Sequence, residues 1–295
     1  RGNGDLELTL LATRKAGEDG YFALLASPGL LPNSVVMPKD ICFVLDSSGS
    51  MADGGKLEQA KKALNFCLAN LNKEDRFEII RFSTETEPLF NSLVPAEKEN
   101  LDKASEFVSR IKPIGGTAIG SALEQALKVP HDAKKPYVVI FLTDGLPTVG
   151  ETKEDKLVSK VESASGGNIR IFSFGIGSDV NTHLLDRISD TTHAASQYVL
   201  PSEDLELKVS NFYAKIKDPV MSDLRLLIGN SSINVKQTLP NPLPDLFNGD
   251  MLSVFGRYSG SGETEFIISG LFNGKPREFR GRVIFPEETS SNSFV

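Results

Sequence analysis

Two cysteines are too few for a disulfide framework or a tetrahedral thiolate zinc site. Cys42 sits in an apolar run and Cys67 continues the stripe Leu57, Ala60, Leu64, Leu68, Leu71, so both read as small core residues; whether they face each other is left open. The three histidines, His131, His183 and His193, have no HExxH spacing, no i, i+4 pairing and no neighbouring cysteine, which favours surface or loop roles. No apolar run approaches the roughly 20 residues that a membrane-spanning helix requires. A basic excess is missing too: 39 acidic against 32 basic residues give a formal net charge of −7, so a sequence-independent grip on nucleic acid or anionic membrane is not expected. Catalytic signatures are equally scarce, with no P-loop, no Gly-x-Ser-x-Gly elbow and no cysteine set beside a histidine. Neither an internal repeat nor a low-complexity tract is present. The chain opens on Arg1 without Met or a signal-like segment, and is expected to be part of a longer protein.

What remains is an ordinary globular composition, 40% hydrophobic and 24% charged, over 295 residues, enough for about two domains at the usual domain size. From Lys39 to Lys217 apolar strands alternate with amphipathic helices, the pattern of βαβ units around a parallel sheet. Strands are predicted at Ile41 to Leu45, Phe77 to Phe82, Tyr137 to Thr143, Ile169 to Gly175 and Gln197 to Leu200. Helical stripes are carried by Leu57 to Leu71, by Leu101, Ala104, Val108 and Ile111, by Ile119, Ala122, Leu123, Ala126 and Leu127, and by Leu205, Val209, Phe212 and Ile216. The two ends differ. Leu6 to Leu11 and Tyr21 to Ala26 flank KAGEDG as a hairpin would, and after Pro219 short segments are separated by GNSS, LPNPLP, NGD, SGSG and NGKP. Neither end is long enough to bury a good core alone. The expected architecture is therefore a doubly wound, mostly parallel α/β domain (39–217) inserted into an antiparallel β-sandwich built from both chain ends (1–38 and 218–295).

One stretch asks for chemistry. DICFVLDSSGSM, Asp40 to Met51, runs a strand buried on both faces into an acid, three serines and a glycine. Asp46 falls at the strand's carboxyl end, where open α/β sheets bind ligands. Asp46, Ser48 and Ser50 place oxygen at i, i+2 and i+4, with Gly49 allowing a sharp bend. Two other loops match by position: IKPIGGTAIGSA presents Thr117 before a helix, and VVIFLTDGLPT repeats the strand-then-acid order at Asp144. Two carboxylates and three hydroxyls suit a hard divalent cation and disfavour zinc or copper.

DSSGSM, GGTAIGSAL and FLTDGLPTVGE resemble the three metal-binding stretches of the von Willebrand factor type A domain, whose metal-ion-dependent adhesion site uses Asp-x-Ser-x-Ser, a Thr and an Asp. The resemblance spans Lys39 to Lys217 with no departure at the five positions. SLVPAEKEN, PTVGET and NFYAKIKDPV are similar to the inter-alpha-trypsin inhibitor heavy chains and their bacterial relatives, in which a separate N-terminal domain, not resembled here, precedes the adhesion domain. The resemblance implies direct coordination of Mg2+ (Ca2+ and Mn2+ being alternatives) by Ser48, Ser50 and Thr117, and direct or water-mediated coordination by Asp46 and Asp144. It also implies an open position for a Glu or Asp carboxylate of a protein partner, and an extracellular, cell-surface or periplasmic setting. Closed and open forms of the site, exchanging Thr117 and Asp144 contacts as the Leu205 helix moves, are a further implication, with Lys217, Asp218 and Pro219 as the connection.

Other readings compete. Asp46, Ser48 and Ser50 alone fit a helix cap or Asx turn. FGIGSDV, with Gly175 and Gly177, lacks the third glycine of a dinucleotide fingerprint. Lys275, Arg277, Arg280 and Arg282 read as a solvated strand face. A metal-dependent phosphoester hydrolase would need a general base beyond the two acids already assigned, and a purely structural metal would leave partner binding independent of cation. The sequence favours a non-enzymatic, cation-dependent protein-binding module.

Overall fold

The computed structural model describes residues 6–28, 38–132, 137–165, 169–200, 202–216, 219–229, 232–247, 251–272 and 275–292. It divides into two compact units, one of Arg1–Met37 with Lys215–Val295 and one of Pro38–Ala214.

In the first unit β1 (Leu6–Thr13) and β2 (Gly20–Pro28) form a hairpin whose register runs from Leu6 opposite Pro28 to Thr13 opposite Tyr21. The rest of the unit follows the second: β10 (Pro219–Ile228), β11 (Asn234–Leu239), β12 (Leu246–Phe247), β13 (Leu252–Ser259), β14 (Gly262–Phe272) and β15 (Lys275–Phe285). Two antiparallel four-stranded sheets result, in the orders β1-β2-β13-β11 and β12-β10-β14-β15. They face each other through one core, in which the Phe22 ring of the first sheet meets Phe266 at 6.1 Å and Phe285 edge-on at 5.5 Å in the second. Strand β13 alternates buried with less buried residues, as a sheet with one wet face does. On β15, Arg280 pairs with Glu265 and Glu278, and the Arg277 guanidinium lies over the Phe279 ring, so the basic stretch is a solvated strand face. NGD lies outside the described residues, as do Lys217 and Asp218.

The second unit is three-layered. Its elements are β3 (Asp40–Asp46), a 3-10 turn (Gly49–Gly55), α1 (Lys56–Ala69), β4 (Arg76–Phe82), β5 (Thr86–Pro88), β6 (Val94–Pro95), α2 (Lys98–Arg110), α3 (Ile119–Lys128), β7 (Tyr137–Thr143), α4 (Glu154–Ser165), β8 (Ile169–Ile176), α5 (Thr182–Thr191), β9 (Ser196–Val199) and α6 (Leu205–Ile216). The sheet order is β5-β4-β3-β7-β8-β9, with β4, β3, β7, β8 and β9 parallel and the short β5 antiparallel on the edge. Every residue of β3, β7 and β8 is buried, which is why these strands read as continuous apolar runs.

One face of the sheet packs Cys42, Val44, Ile80, Phe82, Val139 and Phe141 against α3, α4 and α5. On the other face Phe172 and Phe174 meet Phe212 of α6 edge-on, at 5.4 and 5.0 Å. Each fully buried large side chain contributes about 1.5–3 kcal/mol. Cys42 belongs to the first of these clusters and Cys67 does not; both are buried and unpaired.

Some boundaries differ from expectation. Leu71 lies past the end of α1, Ile111 is the C-cap of α2, and β9 stops at Val199. Helices α4 and α5, which the sequence stripes did not single out, bury Leu157, Val158 and Val161, and Leu184, Leu185 and Ile188. The chain leaves β3 to build β4 on one side and β7 on the other, so the strand order reverses between β3 and β7. In a doubly wound sheet that reversal opens a crevice at the carboxyl ends of the strands.

Candidate functional site

Asp46 ends β3 and Asp144 follows directly on β7, so the two acids flank this crevice. Asp46 is fully buried. Its Oδ1 accepts the Ser48 N–H at 2.8 Å and its Oδ2 accepts the Thr143 hydroxyl at 2.6 Å. The Asx turn anticipated as an alternative is therefore real, and it belongs to Asp46. Ser48 is the N-cap of the 3-10 turn, yet its side chain makes no capping bond. Instead Ser48 Oγ and Ser50 Oγ lie 3.2 Å apart, and Ser50 donates to Asp144 Oδ1 at 2.8 Å. Met51, the next residue, is buried.

Thr117 reaches the site on a loop fixed from three directions. Its N–H donates to Thr148 Oγ1 at 2.9 Å, its carbonyl accepts the N–H groups of Thr148 and Val149, and Ala118 N–H donates to the Ser83 carbonyl. Gly115, at φ 76°, runs so close that a Cβ there would lie 2.6 Å from Thr84 Oγ1, the atom that accepts the Gly116 N–H at 2.9 Å. Gly115 also accepts the Gly49 N–H, and Ile114 N–H donates to the Ser47 carbonyl, which clamps this loop to the Asp46 loop. A Cβ on Gly145 would lie 3.4 Å from Thr117 Oγ1, so the Thr117 hydroxyl adjoins the Asp144 loop.

Hydrogen bonds link Asp46, Ser48, Ser50 and Asp144 through side chains or the Ser48 N–H, and Thr117 stands beside them. Its hydroxyl has no hydrogen-bond partner among the described residues. Burial pushes the Asp46 carboxyl up to about 6, with the Asp144 charge adding to the rise and the bonds from Thr143 and Ser48 opposing it. Two acids whose charges repel and three hydroxyls, that of Thr117 unbonded among the described residues, form a donor set that a hard divalent cation fits. Among the described residues no three His, Cys, Asp or Glu side chains gather, so a nitrogen, thiolate or polycarboxylate centre is not seen there. Exposed apolar side chains stand on the same loops, Ile114 at 64% and Leu146 at 52% exposure.

Two residues of this edge escaped sequence reasoning. Thr143 reads as the last residue of a buried strand, and only its place one residue before Asp144 hints at its bond to Asp46. Lys56 reads as an ordinary helix lysine, yet its Nζ lies 2.7 Å from Asp144 Oδ2. The histidines stay away: His131 stacks on Tyr137, and His183 contacts Glu154 at 2.6 Å.

A family model described as von Willebrand factor type A domain matches residues 39–197. Inter-alpha-trypsin inhibitor heavy chain H4 of Homo sapiens is 31% identical over 266 residues, covering 88% of this chain and 28% of its own length. Heavy chain H2 of Mus musculus is 31% identical over 277 residues, covering 89% of this chain and 29% of its own. The chain thus spans less than a third of the length of these curated relatives. Among solved structures, a von Willebrand factor type A protein from Catenulispora acidiphila superposes with a TM-score of 0.75 at 18% identity, covering 95% of this chain and 73% of its own; that likeness concerns the fold.

Proposed function

Because the chain belongs to the von Willebrand factor type A family, we propose that it is a protein-binding module whose contact surface centres on a divalent cation held by Asp46, Ser48, Ser50, Thr117 and Asp144. The observation that carries this reading is the convergence of five oxygen-bearing side chains from three loops at the carboxyl edge of the sheet. Bound there, Mg2+ would supply positive charge and a coordination position for a partner's Glu or Asp carboxylate. Three of the five protein donors are neutral hydroxyls, so much of that charge is left to attract an outside anion.

The chain's own residues do the positioning. Thr143 and the Ser48 N–H orient Asp46, Ser50 orients Asp144, and the glycine loop fixes Thr117. Ile114 and Leu146 are exposed apolar side chains on the same loops and would be available for contact with a partner.

Binding is favoured over phosphoester hydrolysis by how the acids are used. Both acids are taken up as ligands in this reading, and among the described residues no third His, Cys, Asp or Glu gathers with them to serve as a general base. The non-enzymatic reading, the carboxylate partner and the extracellular, cell-surface or periplasmic setting all belong to this proposal. The domain limits 39–217, with flanking sandwich segments 1–38 and 218–295, belong to it as well.

Calorimetric titration of MgCl2 into chelator-stripped protein tests it. One site per chain is expected, lost in Asp46→Ala while the circular dichroism spectrum is kept, because the site lies on loops. Loss of the native spectrum in that variant would instead favour a structural metal.

A further inference from the structure

The cation on Asp144 in this structure is the chain's own. Lys56 Nζ lies 2.7 Å from Asp144 Oδ2 and 3.4 Å from the Ser50 carbonyl oxygen. The Asp144 side chain is fully buried and that of Lys56 is 22% exposed, so this pair is far better shielded than an ordinary surface ion pair.

Three features build the placement. Gly54 and Gly55, at φ 61° and 72°, turn the chain out of the 3-10 turn so that α1 begins next to the site. Lys56 is the first residue of α1, where a positive charge opposes the helix macrodipole; helix energetics do not favour the residue there, and the Asp144 carboxylate does. On a further side, Gly177 in the loop after β8 has φ 110°, and a Cβ there would lie 3.5 Å from Lys56 Cε and 3.6 Å from Nζ. The second glycine of FGIGSDV thus lies against the end of the lysine rather than against a phosphate.

We propose that Lys56 holds the cation position on Asp144 and that a divalent metal must displace it, so metal affinity is set by competition with the chain's own ammonium. This rests on the ligand reading given above. Each Asp144 oxygen already has a partner, Ser50 on Oδ1 and Lys56 on Oδ2, and a hydroxyl has a lone pair to share with a metal whereas an ammonium has none. Lysine suits the role, since a compact charge on a four-carbon stem that already reaches solvent swings outward without disturbing the backbone. While in place it offsets the repulsion between the Asp46 and Asp144 carboxylates, which keeps the loops assembled without metal.

The test titrates MgCl2 into chelator-stripped wild type, Lys56→Gln and the control Lys62→Gln, and records thermal unfolding of each in EDTA. Lys56→Gln is expected to bind Mg2+ about tenfold more tightly, the equivalent of one partly buried charge-assisted contact no longer broken. The same variant is expected to unfold at a lower temperature in EDTA. Lys62, exposed on α1, should change neither quantity, which removes net charge as the explanation. Unchanged Mg2+ affinity with lowered stability overturns the proposal and leaves Lys56 a structural tie. Tighter Mg2+ binding with unaltered stability in EDTA also overturns it, leaving repulsion at a distance. If none of the three proteins binds Mg2+ or Mn2+ at millimolar concentration, the ligand assignment itself has failed, a separate outcome. Should Lys56→Gln not fold, Lys56→Met, which keeps the apolar stem, gives the same readings.

Discussion

Thr143 donates its hydroxyl to Asp46 Oδ2 at 2.6 Å, tying the end of β7 to the end of β3 across the point where the strand order reverses. Both side chains are fully buried, so the bond is shielded from water and its loss would strand a carboxylate oxygen. Thr143→Val keeps the shape and removes the donor. It is expected to cost about 1–3 kcal/mol in urea unfolding and to weaken Mg2+ binding, while Thr143→Ser keeps both near wild type. Unchanged stability in the valine variant would show that Asp46 finds another partner.

The Thr117 loop is held by close backbone approach, and this gives a second expectation. A methyl group at Gly115 meets Thr84 Oγ1 at 2.6 Å and sits on a backbone with φ 76°. Gly115→Ala is expected to destabilise by about 1–3 kcal/mol and to lower Mg2+ affinity by misplacing Thr117, although no ligand is altered. Calorimetry on the folded variant checks this; wild-type affinity would mean the loop accommodates the methyl group elsewhere.

Glu78 gives a pH dependence away from the site. Its buried carboxylate accepts N–H groups of Ile79, Phe90 and Ser92 at 2.7 to 3.0 Å, yet burial still holds its pKa above the ordinary glutamate value. The native state therefore keeps a proton that the unfolded chain has released. The stability from this proton is fully present below the ordinary value of about 4.3 and is lost as pH rises through the raised one. Glu78→Gln has no such proton. Urea unfolding in EDTA is expected to show wild type losing stability relative to Glu78→Gln from about pH 4.3 toward neutrality. A gap that grows the other way contradicts the raised value.

Much of this was legible in the residues themselves. Ile41 to Leu45 and Tyr137 to Thr143 announce fully buried parallel strands because both faces are covered, and the acids that follow mark their carboxyl ends. Other features were hidden for physical reasons. The stripes of α4 and α5 rest on three large apolar residues each, Leu157, Val158 and Val161, and Leu184, Leu185 and Ile188, fewer than the four or five that mark the other helices. The pairing of β2 with β13, Leu24 opposite Val254, joins distant segments, and no local pattern encodes such a register. Lys56 looks like any helix lysine until the backbone turn at Gly54 and Gly55 brings it to Asp144.

In the proposed function these loops hold a divalent cation with a coordination position open to a partner's carboxylate. Water-proton relaxation with Mn2+ tests it most directly, because the enhancement reports exchangeable water on a protein-bound ion. An enhancement is expected with one Mn2+ per chain, absent in Asp46→Ala, that declines as a short peptide bearing a single Glu is added but not when its Gln counterpart is. No enhancement over protein-free Mn2+, or an enhancement indifferent to the Glu peptide, would contradict it.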